Sequence, residues 1–323
     1  MLMKKAFNFS VVLAVLLALA ACSGSNSSSS SKGTASGADV PADKQVQEDI
    51  LVGELKVLAD ETIYPLLKEQ QTVFEASYPN AKLAFSLKPE VLAVRSLLAD
   101  EAGVAILSRE LNEEEHAYFA KRSITPRVFP IWTDGIVLLG NTNSVDSSVN
   151  KAYLAKALRG EALGGKKLLF ENVNSSNLRA LKNFAGLEQV ASANVEVLGK
   201  QEALLEAVAQ DANKIAVMGY NVYLDLISSF PDKNNIRILS VQNTEGDEAD
   251  NKFYKPSQSS IAAGQYPLRR TFYVLNYQPN LGLGLGFSAF LTGDRGQRIV
   301  LKAGLVPAEM PGRDIIIRDE VPL

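Results

Sequence analysis

Residues 53–87 read GELKVLADETIYPLLKEQQTVFEASYPNAKLAFSL. Residues 53–60 alternate apolar and polar side chains and stop at Asp60, the pattern of a strand. Residues 62–79 set Ile63, Leu66, Leu67, Val73 and Phe74 at helical spacing, and residues 81–87 return to a strand. Strand, helix and strand in that order specify an α/β layered fold with largely parallel strands.

The same grammar runs outward from this unit. Residues 89–101 predict a helix with Pro89 in its first turn, where its missing N–H costs nothing. Residues 104–109 predict a strand, followed by the acidic helix ELNEEEHAYFAKRS. Residues 127–142 predict two strand-like pieces around Trp132 to Gly135. The later half predicts helices at 151–160 and 200–211 and strands at 166–172, 193–199, 214–220, 236–241 and 266–277. The polar loop QNTEGDEADNK lacks the ligand spacing of a calcium loop and reads as solvated. A helix, a turn and a stop at Pro307 close the pattern.

The first 48 residues are of another kind. Lys4 and Lys5 precede an apolar run from Phe9 to Ala21 that is too short to span a bilayer, the layout of a secretory signal. Residues 23–42 are SGSNSSSSSKGTASGADVPA, with almost nothing to bury, and predict a flexible spacer. Over the about 26 residues that lead to Glu48 the rms reach is roughly 25–30 Å, enough to hold a folded body clear of a surface.

Composition excludes several functions. The formal net charge is -3, so no basic field favours nucleic acid. His116 is the only histidine and sits in an acidic stretch that predicts a solvated helix face. Ser-His-Asp hydrolysis and histidine-based metal sites therefore lack their residues, and no cofactor motif is present. GLGLGFSAF (282–290) has glycine spacing but no dinucleotide-type strand and downstream acid, and reads as the glycine start of a helix.

One loop carries two readings. ENVNSSNLRALKNF (171–184) sets Asn174, Ser175, Ser176 and Asn177 ahead of an amphipathic helix. Such residues cap helices, because their side-chain oxygens satisfy first-turn amides. The same amides and hydroxyls also make an anion-binding concavity. Arg109, beside Ser108 at a strand end, is the candidate for charge pairing with an anion, since a guanidinium fork suits tetrahedral oxyanions; its ordinary alternative is an ion pair.

Several segments in order resemble one family, the periplasmic phosphate-binding proteins of ABC importers. ADETIYPLLKEQQTVFEASYP is similar to that family's opening strand, threonine loop and helix, and VAILSRELNEEE to its serine loop and acidic helix. PIWTDGIVLLGNT resembles its first crossing between lobes, and NSSNLRALKNF takes the place of its anion loop. GQYPLRRTFYVL resembles its returning strand, and FLTGDRGQRIVLKAGLVP its closing helix. The N-terminal Leu19-Ala20-Ala21-Cys22 separately resembles a bacterial lipobox, which implies a lipid on Cys22, the only cysteine.

The resemblance implies a type II periplasmic-binding-protein fold: two lobes, each a mostly parallel sheet flanked by helices, joined by two crossings. The apolar run and the lipobox resemblance imply a signal peptide at 1–21 and a lipidated tether at 22–48. Lobe 1 is then 49–131 plus 272–323 and lobe 2 is 136–266, with crossings near 132–135 and 267–271. Its binding residues map onto Thr62, Ser108, Asp134 and Ser175, with Ser176 and Asn177 following in the second-lobe loop. Ser86 and Arg179 are further candidates. Ser176 stands where the family has glycine, and Glu171 and Asn172 stand where it commonly has an arginine. The implied function is capture of phosphate or a similar oxyanion for an ABC permease, without catalysis, cofactor or nucleic acid, on the outer side of a bacterial membrane. The alternative is a sensor or interaction component of an envelope assembly that keeps the fold without transport.

Overall fold

Residues 49–312 of the computed structural model are described here; the expected signal and tether, Cys22 and residues 313–323 lie outside them. The chain opens with β1 (Gly53–Asp60), α1 (Tyr64–Ser77), β2 (Ala81–Lys88), α2 (Glu90–Leu98), β3 (Val104–Leu107) and α3 (Glu113–Ala120). A long strand β4 (Arg127–Asn141) leads to β5 (Ser148–Val149), α4 (Lys151–Leu158), β6 (Lys167–Phe170) and α5 (Ser176–Phe184). Then come β7 (Val195–Val197), α6 (Gln201–Gln210), β8 (Lys214–Gly219), α7 (Tyr220–Ser229), β9 (Ile236–Ile238) and β10 (Ser240–Gln242). The chain closes through β11 (Phe253–Tyr254), α8 (Gln258–Ala262), β12 (Arg269–Asn276), α9 (Leu283–Thr292), α10 (Asp294–Lys302) and β13 (Val306–Pro307).

The main sheet has the order β2-β1-β3-β12-β4-β8-β6-β7. β1 pairs in parallel with β2 and β3, and β6 in parallel with β7 and β8. These two parallel groups are joined by antiparallel pairing of β12 with β3 and β4, and of β4 with β8. The α/β class and the two-lobed arrangement, with a parallel core of three strands in each half, are as the sequence predicts, and β4, β9, β12 and β13 add antiparallel pairs.

Burial follows strand parity. In β1, Leu55, Val57 and Ala59 enter one apolar cluster with α1 and α9, while Leu58 faces a second cluster with α2. In β4, Ile131 and Trp132 belong to the first of these clusters. Further along, Ile136 and Leu138 belong to a third cluster, and Val137 and Leu139 to a fourth. Both sheet faces are thus covered, which is why these strands read as nearly continuous apolar runs.

Several local expectations are corrected. Residues 127–141 form one strand and not two pieces, because β12 and β13 pair along the polar Thr133–Asp134 segment. Residues 236–241 divide, β9 pairing with β4 and β10 joining a separate three-stranded sheet. Pro89 is the N-cap residue of α2, one position before its first turn. His116 is half-buried, with Nδ1 2.9 Å from the Tyr277 hydroxyl, so it is not on a solvated face. Gly284 and Gly286 lie inside α9 because the helix is in close contact there; a Cβ on Gly286 would stand 1.9 Å from the Ile50 carbonyl oxygen.

Candidate functional site

The strand ends and helix starts of both halves meet around Arg270. It lies in β12 directly opposite Asp134 of β4, so the sheet register itself sets the pair. Its side chain is only 3% exposed. Nη1 donates to the Ser176 hydroxyl at 2.5 Å, and Nη2 donates to Thr62 Oγ1 at 3.2 Å and Asp134 Oδ2 at 3.4 Å. One face of the guanidinium lies 4.9 Å from the Phe272 ring centre, a cation–π contact. Gly219, at the end of β8, completes the cradle: a Cβ there would stand 2.9 Å from Arg270 Nη2 and 3.1 Å from Asp134 Oδ2.

Local sequence explains each placement. Asp60 ends β1 and accepts from the Thr62 amide at 2.9 Å, turning the chain so that Thr62 points inward. In the 171–177 loop, Asn172 Oδ1 accepts from the Asn174 amide at 2.8 Å, and Ser175 is the N-cap of α5, its hydroxyl accepting from Leu178 N at 3.3 Å. That leaves Ser176, the first helical residue, aimed across at Thr62, with the two hydroxyl oxygens 3.3 Å apart. Asn177 donates instead to Glu171 Oε1 at 3.0 Å. The Asn-Ser-Ser-Asn run therefore divides its work: Ser175 caps, and Ser176 enters the cleft.

Acidic groups surround this centre. Asp60, Asp134 and Glu171 are all buried. Burial pushes Asp134 up to about 6 against the pull of Arg270, and pushes Glu171 up to about 7. Asp60 is raised by the same cause. Asp60 Oδ2, Glu171 Oε2, Asn177 Oδ1 and Arg270 Nε are buried without a hydrogen-bond partner.

A second cluster spans the cleft nearby. Glu90 of α2, 1% exposed, is gripped by Arg179 of α5: Nε pairs with Oε1, and Nη2 donates to Oε2 at 3.0 Å. Ser108 donates to Glu90 Oε2 at 2.7 Å and accepts from Arg179 Nη2 at 2.8 Å. Arg109 does not enter the centre. Its guanidinium forks onto Glu115 at 2.7 and 2.8 Å, within the same half, and lies 3.7 Å from Glu90. Glu115 also closes the capping box of α3 with Asn112, so one carboxylate serves both helix and arginine. Ser86 lies within β2, half-buried.

Between the clusters opens a cavity of about 320 Å³ whose lining includes Ser108, Arg179, Arg269 and Arg270, with Ile136 and Leu268 on its apolar side. The structure thus brings Thr62, Asp134 and Ser176 together around Arg270, and Ser108 with Arg179 beside them. Sequence reasoning missed Arg270, Asp60 and Glu90. For Arg270 a signal existed: it shares strand parity with Phe272 and Val274, and so lies on the buried face.

A family model described as a PBP superfamily domain matches residues 28–295. The chain belongs to that family. Solved structures agree on the fold of this PBP domain. One, from Clostridium perfringens and named as a phosphate ABC transporter substrate-binding protein with bound phosphate, aligns with a TM-score of 0.64 at 15% identity over 80% of this chain and 100% of its own. An ABC-type phosphate transport receptor from Vibrio cholerae gives 0.62 at 15% identity, over 79% and 100%. The regulatory domain of MetR, a LysR family regulator from N. meningitidis, gives 0.53 at 13% identity, over 80% and 99%. No curated protein sequence matches the chain. Among the described residues no helix is long and apolar enough to cross a membrane.

Proposed function

We propose that this PBP domain captures phosphate or a similar oxyanion between its lobes and hands it to an ABC importer, as an extracytoplasmic lipoprotein anchored through Cys22. The lobes are those set out from the sequence, 49–131 with 272–323 and 136–266. The observation that carries the reading is the buried Arg270, whose guanidinium is shared by hydroxyls from both halves, Thr62 and Ser176. A guanidinium and hydroxyls at a helix start are the donor set a tetrahedral anion requires. The adjoining cavity adds the guanidinium groups of Arg179 and Arg269, while the Ser108 hydroxyl in its lining already donates to Glu90. Two of the structural neighbours are named for phosphate transport, and one of them was determined with phosphate bound.

The protein acts by binding. Separation of the halves frees the Arg270, Thr62 and Ser176 donors for an anion, and closure follows to the extent that the anion contacts both lobes better than water does. A second reading, a sensor or interaction component without transport, draws on Glu171 and Asp60, buried acceptors that a plain anion site would not need. The two separate in a thermal melt of the purified protein with phosphate. Ligand at about 100 times its dissociation constant adds about 2.7 kcal/mol of stability, a rise of several degrees. No rise with phosphate, sulfate or other oxyanions sinks the capture reading in favour of the second.

A further inference from the structure

The charges of the inner cluster do not balance. Asp60 enters from β1, Asp134 from β4 and Glu171 from the loop after β6, all buried, and one guanidinium, that of Arg270, faces them. Glu90 of α2 also faces Asp60, but it is matched by Arg179. The remaining titratable neighbours of Asp134 are the phenols of Tyr220 and Tyr266, the latter fully buried and donating to the Ile136 carbonyl at 2.5 Å, and Asp134 Oδ1 accepts from the Asn221 amide at 3.2 Å. With all three carboxyls ionised, the cluster holds a net charge of -2 before any ligand arrives. A divalent oxyanion doubles that in a space closed to water, where each unpaired charge is costly.

Asp60 Oδ2 and Glu171 Oε2 have no donor in hydrogen-bond geometry among the described residues; the Ser176 and Ser175 hydroxyls are the side-chain donors that act on these two carboxyls. Each is satisfied at once if its carboxyl carries a proton and an anion oxygen accepts it. Both carboxyls have their other oxygen held, Asp60 by the Thr62 amide at 2.9 Å and Glu171 by Asn177 at 3.0 Å; Glu171 is the better placed because it sits on the loop that carries Ser176, the nearest partner of Arg270 at 2.5 Å. Building on the oxyanion reading, we infer that Glu171 binds the anion as a neutral carboxyl, so that capture at this cleft takes up a proton from solution. Burial, which pushes Glu171 up to about 7, supports the same state. Glu171 then supplies by protonation the donor that an arginine would supply by charge.

The test is calorimetric titration of the full chain and of Glu171→Gln with phosphate and with sulfate, in two buffers of different ionisation enthalpy. The amide is always neutral and always a donor, and sulfate brings no proton of its own in this range. The parent is expected to take up about one proton more per anion than the variant near pH 8. At that pH the variant should bind about tenfold tighter, the factor set by a group titrating near 7, and near pH 5.5 the two should agree within about threefold. Binding by both proteins with the same proton number and the same pH profile overturns this inference and leaves oxyanion capture standing. Failure of both proteins to bind either anion between about pH 5 and 8.5 overturns the capture reading, and the inference falls with it.

Discussion

Two clusters of charged side chains bridge the same cleft, and they differ in how completely their polar atoms are matched. In the outer cluster both oxygens of Glu90 are engaged, by Arg179 and by Ser108. In the inner cluster Arg270 is shared among Thr62, Ser176 and Asp134, while Asp60, Glu171 and Asn177 each keep a buried acceptor without a donor. Buried polar groups in folded proteins are nearly always paired, so a group of unpaired ones marks a place where something other than the fold sets the residues. The outer cluster behaves as a latch between the halves. The inner one has the features of a site.

The largest effect should come from Arg270→Gln. Removing one partner of a buried charge pair costs about 3–5 kcal/mol, and here three carboxyls lose the one cation that faces them among the described residues. Because burial raises Asp134 to about 6 and Glu171 to about 7, their contribution to stability is fully present below about pH 4 and lost as pH rises through about 6 to 7, and Asp60, raised by the same cause, acts in the same direction. The loss in melting temperature should therefore be greater at pH 8 than at pH 5. An equal loss at both would make Arg270 a packing residue and erase the contrast.

Arg179→Ala should rank next. It strips Glu90 of its fork and leaves Ser108 and the more distant Arg109, a cost of about 1.5–3 kcal/mol for hydrogen bonds to a charged group. Since Arg179 also lines the cavity, the informative readout is the ratio of effects. Stability should fall more than phosphate affinity, whereas for the inner cluster affinity should fall more. A reversed ratio would exchange the roles of latch and site.

Gly219→Ala sharpens the comparison from the backbone side. The glycine has an ordinary φ of -66°, so the added methyl brings no strain at its own φ, only contact with Arg270, Asp134 and the Thr62 carbonyl oxygen. Overpacking of this kind costs about 1–3 kcal/mol. A several-fold loss of phosphate affinity in titration is expected, and an unchanged affinity would mean that the cradle yields freely.

The smallest effect belongs to Arg109→Ala. Its fork to Glu115 is partly exposed, and pairs of that kind contribute about 0–1 kcal/mol. Anion affinity should stay within about twofold. A tenfold loss would restore Arg109 to the role its strand-end position first suggested.

These results also show which features were legible in the sequence. β1 and α1 were, because their apolar positions repeat at one period with clear stops at Asp60 and Pro79. β4 was not read as continuous because Thr133, Asp134 and Gly135 look like a turn; only pairing with β12, 136 residues further on at Arg270, keeps them extended. Ser176 could be named as a site candidate from its place ahead of a helix, and Thr62 from the resemblance to the binding-protein family. Arg270 could not be found that way, since it stands in mid-strand, and only the parity it shares with Phe272 betrays its burial. Arg109 misled because its partner Glu115 lies six residues away among three consecutive acids, and sequence does not say which of them turns back.

The most direct measurement is a crystal structure of the protein grown with phosphate. The account predicts a tetrahedral anion held by Arg270, with oxygens within hydrogen-bond distance of Thr62 Oγ1 and Ser176 Oγ and one oxygen facing Glu171. An anion bound elsewhere, or a cleft in which Arg270 still joins Thr62 to Ser176 at saturating phosphate, would contradict it.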